Sequence, residues 1–263
     1  MNNLEYTNIN KQEIKLVKSL KSANGRKKSK SFIVEGIKNV SELFDSKYEI
    51  QQLFLSEKLP ESKLDYFRNL CWQRNIPFKM LYSHDYDKLT TLVNPEGIMG
   101  LSFVPEEKIL DNTNIEFPAV FLSQINNPGN LGTVCRTVAW YGIKTLLLSE
   151  DSVDACNPKV IRSSMGGFFN INIIQNINEK AFLKFIKSNK ISLYTTGLDG
   201  QNPVTFFPNS KYIICFGSES HGLSLKMLEN SNKVFHIPKY GNGESLNLAV
   251  SVGIILNSII NKG

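Results

Sequence analysis

Histidine and cysteine are scarce in this chain, three of the first and four of the second among 263 residues. Cys71, Cys135, Cys156 and Cys215 form no Cys-x-x-Cys pair, and only His84, His221 and His236 could join them. Neither a metal site nor a disulfide framework is therefore expected. Cys135 and Cys215 stand in apolar surroundings and read as core residues. Long hydrophobic runs are missing too: residues 246–260, the most apolar stretch, are interrupted by Asn and Ser and too short to span a bilayer. The first ten residues are polar and lack the apolar segment of a secretory signal, so a reducing cytoplasm is the expected location, with no membrane partner. Neither G-x-G-x-x-G followed by an acid nor G-x-x-x-x-G-K-[ST] occurs, which argues against a dinucleotide oxidoreductase and a P-loop NTPase. No repeat of solenoid period is present.

What is present is enough apolar residue, 41%, to bury a sizeable core. The net charge of +6 is unevenly placed. Residues 11–30 carry eight Lys or Arg against the single acid Glu13, so this short segment holds the whole excess. Such a cluster is either an electrostatic footprint for nucleic acid or a solvated lysine-rich helix and loop. Lys21, Arg26, Lys27 and Lys28 are the candidate nucleic-acid-binding residues within it.

The hydrophobic pattern alternates between strands and helices, the mark of an α/β protein. Residues 11–20 read as an amphipathic helix and 21–30 as a basic loop rich in breakers. A strand at 31–36, a helix through Phe44, a strand at 53–55, a helix at 63–74 and strands at 77–81 and 97–103 follow. Residues 104–117 are polar and charged, as expected of a linker. The expected division is a smaller α/β substrate-binding domain at 1–105, a linker at 106–117 and a larger domain at 118–263. The larger domain reads as a mostly parallel sheet with helices on both faces. Its strands are expected at 119–123, 145–148, 171–174, 192–195, 212–216 and 234–237, its helices at 131–141, 158–165 and 245–260.

Ligands of open α/β sheets bind beyond the carboxyl ends of the strands, so the loops leaving strands carry the functional question. Four of them are rich in glycine and polar side chains: residues 124–132, 196–200, 217–222 and 238–245. Glycine permits positive φ and close approach of the backbone to a ligand. Arg136 leans toward the first of these loops, because helical side chains point toward the helix N-terminus and Gly132 and Thr133 are small. A phosphate could be held there. Asn130 could cap a helix starting at Leu131, and Ser245 could cap the last helix with Asn247 in its first turn. Glu219 could orient Arg136 or a hydroxyl of the ligand, or merely favour a helix N-terminus. His221 has no nucleophile to serve and reads as a loop residue.

Three stretches in order carry a resemblance: Asn127-Pro-Gly-Asn-Leu-Gly-Thr-Val-Cys-Arg136-Thr, Phe216-Gly-Ser-Glu-Ser-His-Gly222, and Ile237-Pro followed by Glu244-Ser-Leu-Asn-Leu-Ala-Val-Ser251. Together they resemble the motifs of the SpoU/TrmH family of RNA ribose methyltransferases, part of the SPOUT superfamily. Asn157-Pro-Lys-Val-Ile-Arg-Ser-Ser-Met-Gly166 is similar as well, and Phe32-Ile-Val-Glu-Gly36 resembles more loosely the substrate-binding domain many members carry. Many members have Asp where this chain has Asn127. The resemblance implies a trefoil knot in the C-terminal domain, a homodimer, S-adenosylmethionine as cofactor, and methyl transfer to a ribose 2′-hydroxyl of structured RNA, ribosomal or transfer. It implies Arg136, Asn130, Glu219, Ser245 and Asn247 as catalytic residues, and Thr196, Gly217, Ile237 and Leu246 as cofactor-binding ones. Arg136 would assist removal of the hydroxyl proton. A guanidinium is a very poor base, so positioning and electrostatic stabilisation suit it better. The rival reading is a non-catalytic RNA-binding or ribosome-assembly protein of the same fold.

Overall fold

The computed structural model describes residues 6–90, 92–203 and 211–260. It contains two compact units, residues 1–105 with Cys156–Phe169, and residues 106–155 with Asn170–Gly263.

In the first unit, helix α1 (Lys11–Ser19) starts at a capping box in which Asn10 and Glu13 satisfy each other's backbone N–H. The basic segment after it is not a loop: α2 spans Ala23–Ser29. Ser22 caps it by accepting from the Gly25 N–H, and Arg26 turns inward, 2% exposed, its Nη1 donating to the Leu20 carbonyl at 2.7 Å. Gly25 is required there, because a Cβ would lie 1.9 Å from the Ser19 oxygen. Four strands follow, β1 (Ser31–Glu35), β2 (Ile50–Ser56), β3 (Phe78–Leu81) and β4 (Ile98–Phe103), in the order β1-β4-β2-β3. β4 is antiparallel to β1 and β2, and β3 is parallel to β2, so β1, β2 and β3 run in one direction and end at one edge. Helices α3 (Ile37–Phe44) and α4 (Glu61–Gln73) and the short α5 (Ser83–Tyr86) connect them.

The first unit also includes α7 (Pro158–Ser164) and a 3₁₀ turn (Gly167–Asn170), far along the chain. Asn157 caps α7, accepting from the Lys159 N–H, and Pro158 occupies the first helical position. Phe168 stacks edge-on against Phe32 and, with Phe169, surrounds Tyr48. Chain order alone assigns this segment to the larger domain, whereas its apolar side chains pack in the first unit.

The second unit holds six strands, β5 (Ala119–Leu122), β6 (Thr145–Ser149), β7 (Asn172–Ile177), β8 (Ser192–Gln201), β9 (Tyr212–Phe216) and β10 (Lys233–Phe235). Their order is β10-β8-β9-β5-β6-β7 and every pairing is parallel. The central strands are buried along their whole length because both faces are covered. Ala119, Phe121, Leu147, Ile213 and Cys215 pack with Phe182 and Ile186 of α8 (Glu179–Ser188) and Met227 of α9 (Leu225–Glu229). The alternate set, Val120, Leu122, Leu146, Leu148 and Ile214, is equally buried. Helices α6 (Pro128–Trp140) and α10 (Leu248–Ile260) pack on each other and bury one apolar row each. Residues 106–117 belong to this unit: Ile115 enters the core and the Glu116 N–H donates to Thr145 Oγ1 at 2.9 Å.

All four cysteines are buried free thiols, and burial pushes Cys71 and Cys135 up to about 12. Among the described residues, no helix is long and apolar enough to cross a membrane, and no cluster of His, Cys, Asp and Glu could hold a metal ion.

Candidate active site

From β5 the chain proceeds to β6 and β7 on one side, while β9, β8 and β10 lie on the other. The boundary between β5 and β9 is thus where strand order reverses, and loops leaving their carboxyl ends diverge to leave a crevice. The Ser123 N–H donates to the Phe216 carbonyl at 2.9 Å, so the two loops start side by side.

The first loop ends in α6, which begins at Pro128, one turn earlier than the sequence pattern indicates. Asn127 is the cap, its Oδ1 accepting from the Gly129 N–H at 2.8 Å and the Asn130 N–H at 3.3 Å. Aspartate would cap equally well, which accounts for either residue at this position. Asn130 is therefore not a cap, and its side chain is available for other partners. Its Nδ2 donates to Glu219 Oε1, and its Oδ1 accepts from Asn247 Nδ2 at 3.1 Å. Asn247 Nδ2 also lies 3.5 Å from Glu219 Oε1.

Asn247, not Ser245, caps α10, with Oδ1 accepting from the Ala249 N–H at 2.9 Å and the Val250 N–H at 3.4 Å. The helix starts at Leu248, so the expected cap at Ser245 lies too far upstream. Ser245 is exposed and makes no side-chain hydrogen bond among the described residues. The cap fixes which way the Asn247 amide points. With Oδ1 on backbone donors, Nδ2 must face Asn130, whose own amide then turns its Nδ2 to the acceptor-only Glu219. Three side chains from the ends of two helices and the loop after β9 form one directed network.

The loop after β9, residues 217–222, is closed by a two-bond bridge between Ser218 and Gly222. A Cβ on Gly217 would lie 2.2 Å from the Gly222 carbonyl carbon and 2.4 Å from the Leu223 nitrogen, so only glycine lets the backbone fold this closely. His221 stays within the loop, its Nδ1 2.8 Å from Ser220 Oγ.

Arg136 is exposed on α6, six residues beyond Asn130, and among the described residues no carboxylate pairs with it. Glu219, expected as a partner for it, instead holds the two asparagines. Thr196 follows the last β8 residue paired with β9 and donates from Oγ1 to the Cys215 carbonyl at 3.2 Å. Ile237, beyond β10, is half-buried, and Leu246 is 50% exposed beside Asn247. The expected loop at 196–200 is instead part of β8, which runs to Gln201, so Thr196 lies within that strand while Gly217 and Ile237 follow its neighbours β9 and β10. His236, which the sequence pattern does not single out, has a buried Nδ1 without a hydrogen-bond partner among the described residues. Its signal is its place directly before Ile237.

In the first unit Lys27 and Lys28 are exposed and Lys21 half-buried, its pKa lowered by burial and by Lys18 nearby. Arg26 faces the interior and is not available to RNA.

Residues 118–257 match the model of the SpoU rRNA Methylase family, and residues 11–100 that of the MRM3-like substrate binding domain. The chain is 26% identical, over 93% of its length and 94% of the other's, to a 23S rRNA guanosine 2′-O-methyltransferase of Bacillus subtilis. It is 25% identical, over 90% of its length and 88% of the other's, to a 23S rRNA adenosine 2′-O-methyltransferase of Streptomyces azureus. A solved structure from Porphyromonas gingivalis, described as of the TrmH family, superposes with TM-score 0.86 at 26% identity, covering 98% of this chain and 100% of that one. The AdoMet-bound rRNA methyltransferase from Sinorhizobium meliloti has the same fold, with TM-score 0.85 at 22% identity over 97% and 96% of the two chains.

Proposed function

Because the chain belongs to the SpoU rRNA methylase family, we propose that it is an enzyme transferring a methyl group from S-adenosylmethionine to a ribose 2′-hydroxyl of ribosomal RNA. The observation that carries this reading is the directed Asn130–Asn247–Glu219 network at the switch point of an all-parallel sheet. The residues beside it suit the cofactor. Gly217 leaves bare backbone where a side chain cannot fit, and the buried Nδ1 of His236 needs a partner. Thr196, Gly217, Ile237 and Leu246 would hold the cofactor, which when bound supplies an electrophilic sulfonium methyl. Glu219, acceptor only, holds both amides in fixed orientation, so that they meet the ribose without reorganising. Arg136, free to reach a phosphate, positions the RNA and stabilises the developing alkoxide. Ser245 lies near enough in sequence to Leu246 and Asn247 to contact substrate once RNA is present.

The first unit supplies RNA affinity, with Lys21, Lys27 and Lys28 as phosphate contacts and residues 1–105 as its main body. The second unit carries the chemistry and the trefoil knot implied by the motifs. A homodimer is supported by an exposed apolar face on the packed pair α6 and α10, where Trp140 is 83%, Val250 50% and Ile254 38% exposed. The cytoplasm, where ribosomal RNA is made and folded in a bacterial cell, is the location this reading entails.

Mapping 2′-O-methylation of total RNA in a deletion strain against its parent tests the reading. One ribosomal position should lose its methyl and regain it when the purified protein and labelled cofactor are added. An unchanged methylation map overturns it.

A further inference from the structure

The first unit presents three aromatic rings in sequence at its surface. Tyr6 stacks on Tyr82 with centroids 5.1 Å apart and planes at 27°, and Tyr82 stacks on His84 at 5.8 Å and 14°. Tyr82 is 41% exposed and the His84 side chain 68%. Tyr6 is fixed from behind, because the Thr7 N–H donates to the Met80 carbonyl at 2.8 Å and ties the N-terminal segment along β3. The far end is fixed by Glu57, which accepts from both the N–H and the hydroxyl of Ser83 at 2.7 Å.

Fastening the N-terminal segment needs Tyr6 on Tyr82, but not a third, nearly parallel ring left open to water. The stack lies where β3 ends, at the edge shared by the ends of β1 and β2. Two cations act at the β1 end of that edge, across the sheet from β3. Glu35, the last residue of β1, bonds to Thr90 and lies 3.5 Å from the Tyr86 hydroxyl, and it feels the charges of both Lys21 and Arg162. The nearby acids are occupied: Asp87 by Lys58 at 2.9 Å, Asp85, 3% exposed at its side chain, by Lys88 and by His84 Nε2 at 3.6 Å, and Glu57, whose charge also acts on His84, by Ser83. Exposed rings backed by rigid neighbours, with cations at the same edge, are what single-stranded RNA needs. Bases stack on aromatic faces while phosphates find cations.

We propose that the Tyr6–Tyr82–His84 stack is a platform on which an unpaired RNA base lies against His84, holding the substrate in register. The proposal rests on the RNA methyltransferase reading above, since it assigns part of that substrate's contact surface.

The test uses the full chain and an oligoadenylate RNA of about eight nucleotides, a length suited to such sites, with 2-aminopurine at its centre. Stacking on the platform should quench the probe's emission. His84→Ala should weaken binding about tenfold and relieve the quench, at unchanged melting temperature; stacking by one base is worth about that much. His84→Phe should restore both. Tyr82→Ala should act in the same direction, but it also loosens the N-terminal segment, so His84→Ala is the deciding variant. Equal affinity and quench for His84→Ala and wild type overturn the platform. Wild-type protein that methylates ribosomal RNA yet leaves the probe unquenched also overturns it, leaving the enzymatic reading intact. Probe quenching by a protein that transfers no methyl does the reverse.

Discussion

Asn247 uses one side-chain amide for two purposes: Oδ1 caps α10, while Nδ2 orients Asn130 and faces Glu219. Substitution can separate them. Aspartate caps as well as asparagine, and its charge suits a helix N-terminus, so Asn247→Asp should melt within a few degrees of wild type. It also removes the donor to Asn130 and adds a second carboxylate beside Glu219, and methyl transfer should fall at least about tenfold, a ~1.4 kcal/mol effect. Asn247→Ala should lose both the activity and about 1 kcal/mol of stability. Single-turnover transfer together with thermal melting decides; Asn247→Asp at wild-type rate would mean that the amide orients nothing. Arg136→Ala makes the opposite case. Its side chain is exposed and no carboxylate among the described residues holds it, so stability and cofactor affinity by calorimetry should not change while transfer is lost. A variant that retains near-normal transfer would remove Arg136 from the mechanism. Sequence motifs bring these residues forward as a set, but not their pairing. Glu219 meets Asn130 across 89 residues of chain because β9 and β5 are neighbours, and strand order is not written in local pattern.

Among the helices, α5, α8 and α9 are not read from the sequence, and α2 is read as a loop; its residues say why. Gly25 and three serines or asparagines in residues 21–30 suggest a loop, since glycine costs a helix about 1 kcal/mol. Here the glycine is what permits the helix to approach Ser19, and Ser22 acts as a cap. The helical period then divides the cations: Arg26 turns inward to the Leu20 carbonyl, while Lys27 and Lys28 face water. Their substitution should therefore have different consequences. Lys27→Gln with Lys28→Gln should weaken RNA binding and lower the slope of log K against log salt by about 0.7 to 0.9 for each phosphate no longer neutralised, at unchanged melting temperature. Arg26→Gln should instead lower stability by about 1–3 kcal/mol, because the buried carbonyl is left without its donor. Filter binding at several salt concentrations and chemical denaturation measure the two. An unchanged slope for the double variant would make the segment a solvated lysine run. Strands are more legible than helix ends: β5, β9 and the Leu146–Leu148 centre of β6 are apolar runs covered on both faces, a pattern visible without the fold.

The division of the molecule does not follow the chain. Composition places a boundary near residue 105, whereas the first compact unit comprises residues 1–105 together with Cys156–Phe169, which comes after β6 of the second unit. No periodicity could reveal this, since an apolar helix is equally apolar whichever core receives it. The consequence bears on any attempt to isolate the catalytic part. A fragment of residues 106–263 retains all six parallel strands, yet it carries α7 and the 3₁₀ turn without the unit that covers them. Val160 and Ile161, at 0% and 1% exposure, and Phe168 and Phe169, at 1% and 7%, would then face water. Each such side chain is worth about 1.5–3 kcal/mol when buried, and together they make an apolar patch of the kind that drives association. The fragment should bind an environment-sensitive hydrophobic dye and aggregate, where the full chain does neither. Phe168→Ser with Phe169→Ser should reduce dye binding by the fragment, since it removes the patch rather than repairing the fold. In the full chain the same pair should destabilise, by removing the aromatic packing against Phe32 and Tyr48. A fragment that is monodisperse and dye-free would mean that the segment has a second resting place, and cofactor binding could then be measured on the fragment alone. Otherwise calorimetry has to be done on the whole chain, because a fragment that fails to bind would report its exposed segment and not its site.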